Sequence, residues 1–236
     1  MQMKRMDRSI LILLALMAML VVAISGCTPV VQNTDLPPDN TDEVPEPVTE
    51  PDPYLVLVNA DNPLSEDLVP NLKTIQGNFK LEEQAADAYL AMKAAAKEDG
   101  ITLLVISAHR PYATQERLYK NQVQKLINKG RSEADAAVEA AAIVARPGTS
   151  EHNTGLAADI VTPSYQNLDP GFAKTDAGKW LAANAHNYGF VLRYPKDKQD
   201  ITGIIFEPWH FRYVGVEHAA RMYEEDLCLE EYLAKK

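Results

Sequence analysis

Residues 54–58 and 101–107 are short apolar runs rich in β-branched side chains, and each reads as a buried strand. Between them Leu81, Ala85, Ala88, Tyr89 and Met92 recur at helical spacing, and Gly100 is a natural stop. The chain then breaks at Ala108-His109-Arg110-Pro111, and Thr114 is placed to cap a helix reaching Lys129, with Gly130 after it. Ser132 and Asp135 have capping-box spacing and open an Ala-rich helix to about Val144. After a loop at Arg146-Pro147-Gly148, residues 156–161 read as a strand, and 175–188 as a helix that Gly189 ends. Residues 190–194 and 201–206 read as strands flanking the connection 195–200, the second resuming over 210–214. Two helices, 216–225 and 229–234, close the chain, and no internal repeat is visible. Strands interleave with helices but a hairpin lies near the end, so the expected fold is α+β: one domain, with a central, mainly antiparallel sheet flanked by helices.

The first fifty residues follow a different pattern. Lys4, Arg5 and Arg8 precede an unbroken apolar run over 10–24, too short for a membrane span of about 20 residues and suited to a signal-peptide core. The run ends in Ile24-Ser25-Gly26-Cys27, which resembles the lipobox of bacterial lipoproteins. That resemblance implies cleavage after residue 26, a lipid on Cys27, and a protein anchored to the cell membrane and facing its extracytoplasmic side. An uncleaved anchor and an ordinary secretory signal are the alternatives. Residues 28–53 hold seven prolines and seven acidic residues with no Lys or Arg, so they bury little apolar area and read as a mobile tether over 27–53. The folded domain is expected over 54–236.

A length of 236 residues and 46% hydrophobic composition suffice for a proper core. A net charge of −10 argues against nucleic acid, whose phosphates call for clustered Lys and Arg. With Cys27 committed to lipid, Cys228 is left without a partner and reads as a small packed residue. The chain is expected to act as a monomer.

The chemistry concentrates in two stretches. Ser150-Glu151-His152-Asn153-Thr154-Gly155-Leu156-Ala157-Ala158-Asp159 sets a histidine and an aspartate seven positions apart where a loop runs into a strand, and Gly155 permits the tight bend between them. Glu207-Pro208-Trp209-His210 adds a second carboxylate and a second imidazole. Two imidazoles and one carboxylate as ligands, with one carboxylate left as a base, suit a catalytic zinc that keeps a fourth position open. A bare His152–Asp159 hydrogen bond without metal fits the spacing equally well. Glu207 and His210 would point to opposite faces of a straight strand, so the zinc reading requires a bend at Pro208. Arg110, a permanent cation directly after a buried strand, suits either a clamp for a substrate carboxylate or a structural salt bridge. Trp209 reads as core or cavity wall, and His109, His186 and His218 as bystanders.

Three segments, Ser107-Ala108-His109-Arg110-Pro111-Tyr112-Ala113-Thr114-Gln115, Ser150 to Asp159, and Glu207-Pro208-Trp209-His210-Phe211-Arg212-Tyr213, resemble in order the VanY-type D-alanyl-D-alanine carboxypeptidases. Lys179-Trp180-Leu181, Gly189-Phe190, Arg193-Tyr194-Pro195 and Leu229-Glu230-Glu231-Tyr232-Leu233 extend the resemblance over about 54–233. It implies zinc on His152, Asp159 and His210, Glu207 as catalytic base, Arg110 on the substrate carboxylate, and Gln115 and Ser150 helping to bind the terminal residue. The implied substrate is a peptidoglycan stem peptide ending in D-Ala-D-Ala. An L,D-carboxypeptidase trimming tetrapeptide stems, a cross-link endopeptidase and a non-catalytic wall-binding module are the rivals. One departure stands out: the family often has Gly-Tyr-Arg-Ser where this chain has Ala108-His109-Arg110-Pro111, which bears on substrate preference.

Overall fold

The computed structural model describes residues 52–236. The expected signal peptide, Cys27 and most of the tether lie outside the described residues. Two sheets form. The first is a hairpin of β1 (Leu72–Gln76) and β2 (Phe79–Glu82), with Gln76 opposite Phe79 across Gly77-Asn78. Gly77 sits at φ +52, a conformation that costs glycine nothing. The second has the order β3-β4-β6-β5, from β3 (Leu104–Ser107), β4 (Ala157–Val161), β5 (Phe190–Leu192) and β6 (His210–Tyr213), every neighbouring pair antiparallel.

Helix α1 (Glu83–Glu98) starts where Glu82 caps the backbone N–H groups of Gln84 and Ala85. Its buried stripe, Ala85, Tyr89, Met92 and Ala96, packs into a core shared with Leu103 and with Val105, Ile160, Phe190 and Phe211 from the sheet. Replacing a fully buried member such as Met92 by alanine would cost about 2–5 kcal/mol. Helices α2 (Tyr112–Ile127) and α3 (Glu133–Ala141) pair through a separate small cluster of Leu126, Ala136 and Ala140. Ser132 caps α3 at Asp135, as its capping-box spacing predicts. Helix α4 (Asp176–Asn184) and a 3-10 turn, Ala185–Tyr188, end at Gly189, whose φ is +80. Short α5 (Gln199–Thr202) precedes β6, and α6 (Val216–Glu224) and α7 (Leu229–Ala234) bury Met222, Leu229 and Tyr232 with Val191 and Val214. No helix among the described residues is long and apolar enough to cross a membrane.

Helix α2 begins at Tyr112 after Pro111 with no side-chain cap, so Thr114 lies inside the helix and does not cap it, and two expected strands also need correction. Residues 54–58 form no strand: Asp52 and Pro53 open a 3-10 turn, Pro53–Leu55, and the carbonyls of Tyr54 and Val56 accept from the Arg212 guanidinium instead of a neighbouring strand. Residues 201–206 do not pair with 190–194. Thr202 closes α5, Gly203 turns at φ +71, and the partner of β5 is β6, with Leu192 opposite Phe211. The hairpin Leu72–Glu82 is absent from the sequence-based reading, although Phe79-Lys80-Leu81-Glu82 alternates directly after the turn residues Gly77-Asn78.

Candidate active site

β4 lies at the centre of the larger sheet, and all five of its residues are buried. Asp159 stands opposite Ser107 on β3 and opposite His210 on β6, so strand pairing alone brings three distant segments together. His152 comes from a 3-10 turn, Glu151–Thr154, that ends at Gly155. Gly155 has φ +76, and a Cβ there would lie 3.0 Å from the backbone nitrogen of Glu82, so both conformation and space call for glycine. The turn is tied to the loop after β3: the Arg110 N–H donates to the His152 carbonyl (2.9 Å) and Asn153 Nδ2 to the Arg110 carbonyl (2.6 Å).

The bend at Pro208 is a β-turn. His210 N–H donates to the Glu207 carbonyl at 3.0 Å, which sets residues 207 and 210 side by side, and both line the same cavity. Asp159 Oδ2 lies 3.4 Å from His152 Nε2 and Asp159 Oδ1 lies 3.2 Å from His210 Nδ1. The imidazole centroids are 4.9 Å apart, and one donor atom from each of the three residues falls within 4.8 Å of the other two. Bonds of about 2.0–2.1 Å in a tetrahedral shell put neighbouring donors roughly 3.3 Å apart, so two nitrogens and a carboxylate oxygen are spaced to fit zinc. Glu207 Oε2 lies 3.8 Å from His210 Nδ1, beside that position without belonging to the trio.

Both histidines spend their second nitrogen on the protein. His152 Nδ1–H donates to the Ala108 carbonyl at 2.8 Å, leaving Nε2 for the site. His210 does the reverse: Nε2–H donates to Glu151 Oε2 at 3.3 Å and Nδ1 faces Asp159. Glu151 is buried, and its other oxygen accepts from Arg193 Nε (2.7 Å) and Arg212 Nη1 (2.8 Å). Arg193 also grips Glu230 with two bonds of 2.8 and 2.6 Å. Sequence reasoning assigned Glu151 no role. The usable signal was two arginines, Arg193 and Arg212, set in otherwise apolar strand ends, which demand a buried carboxylate.

These contacts set the protonation states. Burial alone would raise Glu151, but Arg193 and Arg212 outweigh it and hold the carboxyl well below its usual range. Asp159 is likewise held down by His152 and His210 against the effect of burial. Burial lowers His152 and favours the neutral ring. His210 is also buried, yet hydrogen bonds to Asp159 and Glu151 raise it to about 9. Glu207 is raised to about 7, chiefly by burial, which is where a general base is effective.

Arg110 reaches the same cavity, with Nη2 3.9 Å from Asp159 Oδ2. Its guanidinium is steadied by Gln115 Oε1 (2.6 Å) and Ser107 Oγ (2.8 Å). Gln115 also donates to the Ala145 carbonyl, so both ends of its amide are engaged, whereas Ser150 lines the cavity with a hydroxyl that caps nothing. Trp209 forms part of the wall. Of the departing tetrad, the Ala108 side chain is buried and His109 and Pro111 line a second cavity beside Tyr112. His186 stacks on Tyr223, His218 bonds Tyr232 and Asp52, and burial raises the Cys228 thiol to about 11, so these three serve packing.

Residues 78–216 match the family model of VanY, D-alanyl-D-alanine carboxypeptidase. The chain is 37% identical over 179 residues to the D-alanyl-D-alanine carboxypeptidase of Enterococcus faecalis (strain ATCC 700802 / V583), spanning 76% of this chain and 65% of that protein. Among solved structures it resembles the vancomycin-resistance D,D-pentapeptidase VanY of the VanB-type cassette bound to Zn(II), with TM-score 0.70, 36% identity, and 77% of this chain and 99% of that one covered. VanYB in complex with D-Ala-D-Ala matches with TM-score 0.71 at 36% identity, covering 78% and 98%. The LdcB LD-carboxypeptidase matches with TM-score 0.68 at 38% identity, covering 76% and 85%. With more than half of its length under the family model and a donor trio spaced for zinc, the chain belongs to the VanY family of D-alanyl-D-alanine carboxypeptidases.

Proposed function

We propose that the chain is a zinc-dependent carboxypeptidase that removes the terminal D-alanine from peptidoglycan stem peptides ending in D-Ala-D-Ala. The observation that carries this reading is the placement of Glu207, a half-buried carboxylate outside the donor trio, next to that trio and in one cavity with Arg110. His152 Nε2, Asp159 and His210 Nδ1 would hold the zinc. Zinc, when bound, supplies Lewis acidity toward a carbonyl oxygen and brings the pKa of a water to about 7. Glu207 accepts a proton from the attacking water and passes it to the leaving amine. Arg110 pairs with the free carboxylate of the last residue, which makes the enzyme an exopeptidase, and Gln115 holds that guanidinium in place. Ser150 offers its hydroxyl to the same residue.

Replacing Glu207 with Gln is expected to lower kcat by at least about 10²–10⁴-fold while zinc content stays at one per chain. Full activity in that variant would refute the assignment. An L,D-carboxypeptidase acting on tetrapeptide stems is the second reading, supported by the similarity to LdcB. Mass analysis of products from pentapeptide and tetrapeptide stems separates the two.

The sequence also supports lipidation at Cys27 after removal of residues 1–26, with 27–53 as a tether and the domain held at the outer side of the cell membrane. Labelling cells with a fatty-acid probe should mark the chain but not Cys27→Ser. Equal labelling of both would remove the anchor.

A further inference from the structure

The active-site cleft encloses about 430 Å3, within the roughly 300–1,000 Å3 that drug-sized ligands occupy, so a terminal pair of alanines leaves part of it unfilled. One wall of that remaining space is α2. Leu118, Gln122 and Lys125 line the cleft, and with Gln115 their spacings of three, four and three place them on one face of the helix. From Gln115, which holds Arg110, to Lys125 the axis rises about 15 Å at ~1.5 Å per residue. Side chains on a helix lean toward its N-terminus, so Lys125 leans back toward the Arg110 end. A peptide whose last residue is clamped at Arg110 has its third and fourth residues from the end about 7 and 10 Å away at ~3.3 Å per residue. Both fall inside that span.

The charges of the cleft point the same way. Its carboxylates among the described residues are Glu151, Asp159 and Glu207. The first is locked to two arginines, the second belongs to the donor trio, and the third is the proposed base. None remains to pair with a substrate ammonium. Lys125 has no ion-pair partner among the described residues, whereas its neighbour Lys120 is paired with Glu116. In a chain of net charge −10, the free charge at the outer part of this cleft is cationic.

We infer that Lys125 is a specificity residue, selecting stem peptides with a free carboxylate on the third or fourth residue from the end over stems carrying an amide there. The inference rests on the carboxypeptidase reading above. Two sources supply the same chemistry: the second carboxylate of a diaminopimelate residue at the third position, or the α-carboxylate of a γ-linked D-glutamate at the fourth.

Four pentapeptides ending in D-Ala-D-Ala, with each of these two carboxylates free or amidated, test it on the zinc-loaded full chain. Amidation at one position is expected to lower kcat/KM about fivefold, the value of an exposed ion pair of roughly 1 kcal/mol, with the change in KM. The position that matters identifies the source. Lys125→Ala should erase the preference and Lys125→Glu invert it, while Lys120→Ala keeps it. Equal rates on all four peptides, or a preference that survives Lys125→Ala, would overturn the inference. Calorimetry of the same peptides on zinc-loaded Glu207→Gln reads the preference without turnover. If no peptide is hydrolysed yet binding keeps a Lys125-dependent preference, the hydrolase reading falls and this one stands. Hydrolysis without preference sinks this one alone.

Discussion

His152 and His210 present their donors from two different kinds of support. Behind His152 is a main-chain acceptor, the Ala108 carbonyl, in a loop that strand β3 delivers. Behind His210 is a side chain, Glu151, which survives in the interior only because Arg193 and Arg212 neutralise it and Glu230 balances Arg193 in turn. A backbone carbonyl is supplied by any residue, so the first support tolerates sequence change. The second depends on four charged side chains spread from 151 to 230, and loss of one strands the others in a low-dielectric interior. One metal site thus rests on a robust leg and a fragile one, which explains why the departure at Ala108-His109-Arg110-Pro111 leaves the ligand geometry intact.

The strongest way to break this contrast is at Glu151. Glu151→Ala leaves Arg212 buried without its carboxylate and is expected to cost about 3–5 kcal/mol of stability, read as a lowered denaturant midpoint of the metal-free chain. Glu151→Gln keeps the shape and should weaken zinc about 10–100-fold through His210. Ala108→Gly, which keeps the carbonyl, should leave zinc affinity nearly unchanged. If Ala108→Gly weakens zinc as much as Glu151→Gln does, the two supports are equivalent and the contrast fails.

A smaller effect sharpens it through pH. In the metal-free chain His210 is raised to about 9 while His152 is lowered, so near neutrality only His210 carries a proton that zinc must displace. Zinc affinity should therefore fall roughly tenfold per pH unit below about 9, by a one-proton exchange, and chelator competition at several pH values measures the slope. A slope of zero would mean that His210 is already neutral. The same shift stabilises the metal-free fold fully below about 6.5, a contribution lost as pH rises through about 9. Zinc-loaded protein should lack that dependence.

The make-up of the site was readable, since His152, Asp159, Glu207 and His210 suit a metal and a base, although the His152–Asp159 spacing alone fits a plain hydrogen bond equally well. Their convergence was less readable. It depends on Asp159 facing Ser107 and His210 across two strand pairings, and alternation patterns identify strands without naming their partners. That ambiguity also misdirected residues 201–206, whose apolar side chains Ile204 and Ile205 line the cleft instead of joining the sheet. Residues 54–58 carry a strand's composition, but their carbonyls meet a guanidinium, a partner that local pattern does not encode. Glu151 looked like an ordinary charged residue beside a histidine because its partners lie 42 and 61 positions away.

The central position of β4 has a consequence for assembly. Side chains alternate along a strand, so sliding β4 by one step against its neighbours would turn Asp159 to the opposite face and scatter the donors. A bound cation would therefore act as a checkpoint for correct alignment, rewarding only the pairing that gathers the three donors. A fragment ending before residue 210 keeps two of the three donors and forfeits that reward.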